Sequence, residues 1–149
     1  MRKSNSKPVN SQLINILHDQ GCSLVVETAA GEVTTYDKKG VRDLIWLLDN
    51  EPERLRGARV ADKVIGKAAA ALMVQGGVVE AYAEVLSRKA LPLLEAADVF
   101  YVFGELVDGI VIPEGDDRCP LEQIVGPALT AAEAEQMLRR HFEMKQRMK

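Results

Sequence analysis

Apolar residues recur along this chain with two periods. Leu13, Ile14, Ile16 and Leu17 fall on one helical face, behind a candidate N-cap at Ser11 and ahead of Gly21. They predict a first helix of about ten residues, near the usual helix length. Ser23-Leu24-Val25-Val26-Glu27 and Val33-Thr34-Thr35-Tyr36 flank the turn-like Ala29-Ala30-Gly31-Glu32 and predict a β-hairpin. Val41, Leu44, Ile45 and Leu48 give an inner stripe to a second helix over residues 40–50, and a charged loop follows at 51–57. Residues 58–61 predict a short buried strand that turns directly into an alanine-rich helix, opening at Asp62 and ending at Gly76-Gly77. A fourth strand is expected at 78–83. A helix follows Ser87, with Pro92 delaying or bending its start. Residues 99–103 predict a fifth strand, which 106–112 extends or supplements. A polar, acidic loop at 113–118 leads to a brief helix opening at Pro120, and a last amphipathic helix begins near Thr130. The chain carries no internal repeat and no low-complexity segment.

This order predicts an α/β protein with a mixed five-stranded sheet and helices on both faces. The strands at 58–61 and 78–83 are expected to run parallel, joined by a right-handed crossover. Ala68-Ala69-Ala70-Ala71, with Gly66 ahead of them, suit a helix lying very close to a sheet, and they are also strong helix formers.

Composition narrows the class. The chain has 149 residues, 47% hydrophobic and 28% charged, which is ordinary for one globular domain. A net charge of −3 gives no general attraction to nucleic acid or to an anionic membrane. No apolar run is long enough to span a bilayer, so no membrane association is expected. Residues 1–10 are polar, lack the apolar core of a signal peptide and read as a disordered lead-in. Two cysteines, Cys22 and Cys119, are too few for a disulfide scaffold or a cysteine zinc site, and a cytoplasmic location follows as the default.

The candidate chemistry gathers around residue 62. Asp62 reads as the N-cap of the alanine-rich helix. Lys63 and Lys67, four residues apart, share a face of that helix. Cations at the positive helix end are penalised by a few tenths to about 1 kcal/mol each, and a phosphate or carboxylate would reverse that sign. Solvated lysines with their stems along the surface are the plainer reading. A lysine of depressed pKa acting as nucleophile or base is the sharper one. Ser87 follows the neighbouring parallel strand, so its loop belongs at the carboxyl ends of the strands, where open α/β sheets place ligands; it also reads as an N-cap. Glu84 sits in the same expected loop, to pair with a lysine or face water. Cys119-Pro120-Leu121-Glu122 reads as a helix start whose thiol is either reactive or a packed cap, with no histidine partner to assign. Cys22 is expected in the core. In the last helix Met137, Leu138, His141, Phe142 and Met148 form a stripe that would dock on the body or on a second subunit. Arg139, Arg140, Lys145, Arg147 and Lys149 complement its negative end, and aromatics are too scarce to favour nucleic acid.

Asp62-Lys63-Val64-Ile65-Gly66-Lys67-Ala68-Ala69-Ala70, with residues 79–83, Ser87, Ala90 and Cys119-Pro120-Leu121-Glu122, resembles a small uncharacterised prokaryotic family that carries only a domain-of-unknown-function label, number eighteen-ninety-three. The resemblance spans roughly residues 11–126. It implies a three-layer α/β/α sandwich of cytidine-deaminase type over 11–128, with 129–149 as an added C-terminal helix. It does not imply deamination. A zinc deaminase needs a His or Cys ligand and a Glu at one helix start, and Pro-Cys-x-x-Cys at the next. The first place here holds Asp62-Lys63 and Lys67, and the second holds Val85-Leu86-Ser87-Arg88-Lys89. A protonated lysine is a poor metal ligand, and His18 and His141 have no metal-binding spacing, so neither metal nor cofactor is expected. Three readings follow. The leading one is a binder of a small anionic or nucleotide-like ligand at the 62–67 helix start, through Asp62, Lys63, Lys67, Ser87, Cys119 and Glu122. The second is an enzyme using Cys119, Lys63 or Lys67 covalently. The third is a non-catalytic interaction or assembly module, with homo-oligomers formed through the C-terminal helix.

Overall fold

The computed structural model describes residues 11–38, 41–110 and 121–147. The lead-in at 1–10, the loop at 113–118, Cys119 and Pro120 lie outside the described residues. The elements are α1 (Ser11–Asp19), β1 (Leu24–Glu27), β2 (Val33–Tyr36), α2 (Arg42–Asn50), β3 (Arg59–Ile65), α3 (Lys67–Gly76), β4 (Glu80–Ser87), α4 (Leu91–Ala96), β5 (Phe100–Val107), α5 (Leu121–Ile124) and α6 (Ala131–Arg147). The five strands form one mixed sheet in the order β2-β1-β3-β4-β5. β1 pairs antiparallel with β2 and β3 runs parallel to β4, as the hairpin and the crossover predict; β1 is also antiparallel to β3, and β5 is parallel to β4.

One sheet face carries the main core. Val26, Val60, Ala81 and Tyr101 pack there with residues of α2, α3, α4 and α6. On the other face Leu13 and Leu17 of α1 cover Val25, Ala61 and Tyr82. Ala68, Ala69, Ala70 and Ala71 are all buried. The close approach they permit continues at Gly76, where a Cβ would stand 2.8 Å from Leu55 Cδ1. Gly77, at φ +90°, ends α3 in the left-handed region that glycine enters without cost.

The largest difference from expectation is the length of β3. It runs to Ile65, so Asp62 and Lys63 are strand residues and α3 begins only at Lys67, with Gly66 as its N-cap. The predicted helix start at 62 overlooked pairing on both sides: Asp62 lies opposite Leu24 of β1 and Ala83 of β4, and Ile65 lies opposite Leu86. Ladders on both sides as far as Asp62, and the pairing of β-branched Val64 and Ile65 with β4 beyond it, outweigh the helical pattern. β4 and β5 are likewise extended, to Ser87 and Val107, by mutual pairing.

All three parallel strands slip once in their alternation. Val60 and Ile65, Ala81 and Leu86, and Tyr101 and Leu106 all face the main core. Strict alternation would place residues five apart on opposite faces. The ladders mark the place. They step from Asp62–Ala83 to Val64–Val85, and from Ala83–Phe103 to Val85–Glu105, omitting the rung of Lys63, Glu84 and Gly104. A Cβ on Gly104 would stand 2.9 Å from the Glu84 carbonyl oxygen, so glycine is what lets the backbones approach at that rung.

Candidate functional site

The carboxyl ends of β3, β4 and β5 lie side by side and bring Gly66, Ser87 and Gly109 to one end of the sheet. Onto this end folds α5. Its Glu122, 8% exposed, presents both carboxylate oxygens to backbone amides. Oε2 accepts the N–H of Lys67 at 2.9 Å, and Oε1 accepts the N–H of Ile110 at 2.7 Å. The first amide of α3, one of the donors every helix leaves open, is therefore answered by a carboxylate from 55 residues away. A Cβ on Gly66 would come within 3.0 Å of Glu122 Oε2 and 3.1 Å of Ile110 Cγ1, so the seat is cut to fit around a glycine.

Lys67 completes the contact in reverse. Its ammonium donates to the carbonyl oxygens of Gly126 at 2.9 Å and Ala128 at 2.7 Å, just past α5. Each residue thus uses its side chain on the other's backbone segment. Ser87 is fully buried at the end of β4, where its hydroxyl accepts the N–H of Lys89 at 3.1 Å. The Lys89 ammonium approaches the same end, 3.4 Å from where a Gly109 Cβ would sit; Glu122 Oε1 is 3.5 Å from that point. Arg88 pairs with exposed Asp108 at 3.0 Å.

Lys67 and Glu122 are therefore brought together, with Ser87 at the end of the neighbouring strand, and two other expected members are not. Asp62 lies within β3, 8% exposed, with Oδ1 accepting the N–H of Val64 at 3.4 Å; it caps no helix. Burial pushes its pKa up to about 8, against the lowering effect of the Val64 and Lys63 amides, and the carboxylate of Asp43 adds to the rise. Lys63 is exposed on the strand and its N–H donates to Ser23 O at 3.2 Å. Its charge acts on the thiol of Cys22, which belongs to the core under α1. The i, i+4 pairing of Lys63 with Lys67 does not exist, because the two stand on different elements. The reason is the strand extension: a residue within a strand cannot share a helical face with one beyond the cap.

Cys22 is buried as expected, and burial pushes its thiol up. Glu84 pairs with His18 of α1 at 2.5 Å, not with a lysine. In α6, Ala131, Ala134 and Leu138 are buried in the main core and Met137 and Phe142 pack against it, so Met137, Leu138 and Phe142 of the apolar stripe dock on the body, while Met148 lies outside the described residues. Arg139 joins α6 to α2 through Asp49, at 2.8 Å.

The sequence did not mark Ile110, Lys89, Gly109 or the Gly126 and Ala128 carbonyls. Glu122 itself stood out, at its own helix start and as a member of the 62–67 ligand site, but not as the acceptor of the first α3 amide. Its reach to α3 leaves no local signature, since only the packing of α5 brings the two together.

These elements define an α/β protein with a five-stranded mixed sheet and helices. The family profile TM1506, Domain of unknown function (DUF1893), matches residues 12–142, and the chain belongs to that family. The match runs well into α6, which the expected limit near residue 126 had left out. The crystal structure of a DUF1893 family protein (TM1506) from Thermotoga maritima is similar, with a TM-score of 0.78, 20% identity and 95% of each chain covered. At that identity the likeness is one of fold. No curated protein matches the sequence. Among the described residues no helix is long and apolar enough to cross a membrane.

Proposed function

We propose that this chain is a non-catalytic interaction module, built on an α/β sheet and acting by assembly with protein. One observation carries the reading: the described residues with the best claim to chemistry are engaged in holding the fold. Lys67 donates to two carbonyls, Glu122 accepts from two amides, Ser87 is a buried cap and Asp62 is a buried strand carboxyl. A nucleophile needs a free lone pair and a base within reach. Lys67 points its ammonium at carbonyl oxygens instead. Light scattering and cross-linking on the full chain test the reading. Association with itself or with a defined protein is expected, and a strict monomer that retains no partner overturns it. Thiol labelling tests the covalent rival: Cys119 is expected to react no faster than a model thiol at neutral pH.

A second reading, a small anionic ligand at the strand ends, is favoured by the Lys89 ammonium beside Gly109 and by the meeting of three strand-end loops there. The α3 N-terminus already holds Glu122, so such a ligand would have to displace that carboxylate or bind beside it. Calorimetry with phosphate, nucleotide and carboxylate tests it on the natural chain, Lys67→Ala and Lys89→Ala. Heats absent from the natural chain, or unchanged in both variants, remove it.

A further inference from the structure

We infer that β5 is the seam along which two copies of this chain join, antiparallel about a two-fold axis between Phe103 and Gly104, so that the two sheets become one. The inference rests on the interaction-module reading and adds to it the surface and the partner.

The two sheet edges are built differently. β2 has four residues, Thr34 and Thr35 among them, and the Arg54 guanidinium bonds Thr34 Oγ1 at 3.1 Å while pairing with Glu51. Short, polar and flanked by charge, it has the marks of a protected edge. β5 has eight residues, Phe100-Tyr101-Val102-Phe103-Gly104-Glu105-Leu106-Val107, with one charged side chain and neither lysine nor proline. Among the described residues its strand pairing is to β4 alone. An edge of this kind leaves a row of backbone donors and acceptors for water or for another strand. Phe103 is 39% exposed on it.

The alternation slip is what makes β5 complementary to itself. Opposed residues of an antiparallel pair share a sheet face. An axis between Phe103 and Gly104 sets Tyr101 against Leu106, and both of these face the main core. In an unslipped strand residues five apart face opposite ways, and this register would fail. The same axis sets Phe100 against Val107 and Val102 against Glu105, so the two Glu105 carboxylates face valines and not each other. It sets each Phe103 against the other copy's Gly104, where an aromatic ring covers the place of the missing side chain. The core-facing pair and the single charge both fit this one register.

Sedimentation equilibrium of the full chain over micromolar to millimolar concentrations tests the seam, with Phe103→Lys and, on α6, Met144→Lys. A dimer is expected for the natural chain and for M144K. F103K places two cations at the axis and is expected to weaken association by roughly 100-fold, with circular dichroism unchanged. Hydrogen exchange on the natural chain needs no variant: the amides of residues 102–105 are expected to slow as concentration rises. A folded F103K that still dimerises, or a dimer broken by M144K alone, overturns the seam and leaves the module reading standing. β5 amides protected equally at all concentrations mean that the chain's own residues cover the edge, which also overturns the seam. A monomer at every concentration that retains no partner overturns both.

Discussion

Glu122 and Lys67 clasp each other's backbone. The carboxylate of Glu122 receives the N–H of Lys67 at 2.9 Å, while the ammonium of Lys67 reaches the carbonyls of Gly126 and Ala128 at 2.9 and 2.7 Å. The positive end of α3 does attract a negative group, and that group belongs to the chain itself. The contact ties α5 and the approach to α6 onto α3, and through the Ile110 amide it ties the residues just after β5 to the same point.

Glu122→Ala leaves two part-buried amides without their acceptor. Hydrogen bonds to charged groups contribute roughly 1.5–3 kcal/mol each, and a loss of roughly 3 kcal/mol in unfolding free energy is expected. Glu122→Gln keeps one acceptor oxygen and should lose less. Chemical denaturation of the three proteins checks the order, and an E122A as stable as the natural chain would remove the clasp from the account.

Lys67→Met retains the aliphatic stem and removes the ammonium, so about 1–2 kcal/mol is expected for the two lost carbonyl bonds. The two halves of the clasp hold the same segments together. K67M and E122A should therefore fall short of additivity by about 0.5 kcal/mol or more. A double-mutant cycle by urea denaturation reads this directly, and strict additivity would mean that the halves act independently.

Gly66→Ala is expected to destabilise through contact and not through backbone strain, since Gly66 has φ −98°, open to any residue. The added Cβ would stand 3.0 Å from Glu122 Oε2 and press the carboxylate off the Lys67 amide. In the Glu122→Ala background that conflict is gone. The cost of G66A should shrink there, and melting temperatures of the four combinations measure it. An equal cost in both backgrounds would place the conflict elsewhere.

Asp62→Asn is expected to change how stability depends on pH. The Asp62 carboxyl stands at about 8 in the fold against an ordinary value of 3.8. A raised pKa means that the folded state holds the proton longer than the unfolded chain does. The stabilising effect is complete below about pH 4 and is lost as pH rises to about 8. Asparagine has no charge to bury. The stability of D62N relative to the natural chain should therefore climb across that window, with a slope of at most about 1.4 kcal/mol per pH unit, and level off above it. A difference that stays flat from pH 4 to pH 8 would show that Asp62 ionises freely in the fold.

Local pattern alone specified the hairpin around Gly31, the stripes of α1 and α2, the alanine helix ending at Gly76-Gly77 and the parallel crossover. Each depends on spacing within a few residues, or on a chirality common to all L-chains. That the tip of the alanine helix would draw an anion was likewise legible, because the helix dipole is a property of the backbone, although the pattern set that tip at Asp62 and not at Lys67.

Tertiary structure decided the rest. It carried β3 through Asp62 to Ile65, because pairing with β1 and β4 as far as Asp62, and with β4 beyond it, stabilises a strand more than a local helical pattern opposes it. That choice sent Lys63 out along the strand and buried Asp62. It also chose Glu122, 55 residues from the amide it holds, as the anion at α3. A helix end fixes the sign of the charge it attracts, while which carboxylate arrives depends on how distant segments pack, and that is not written in any short window of sequence.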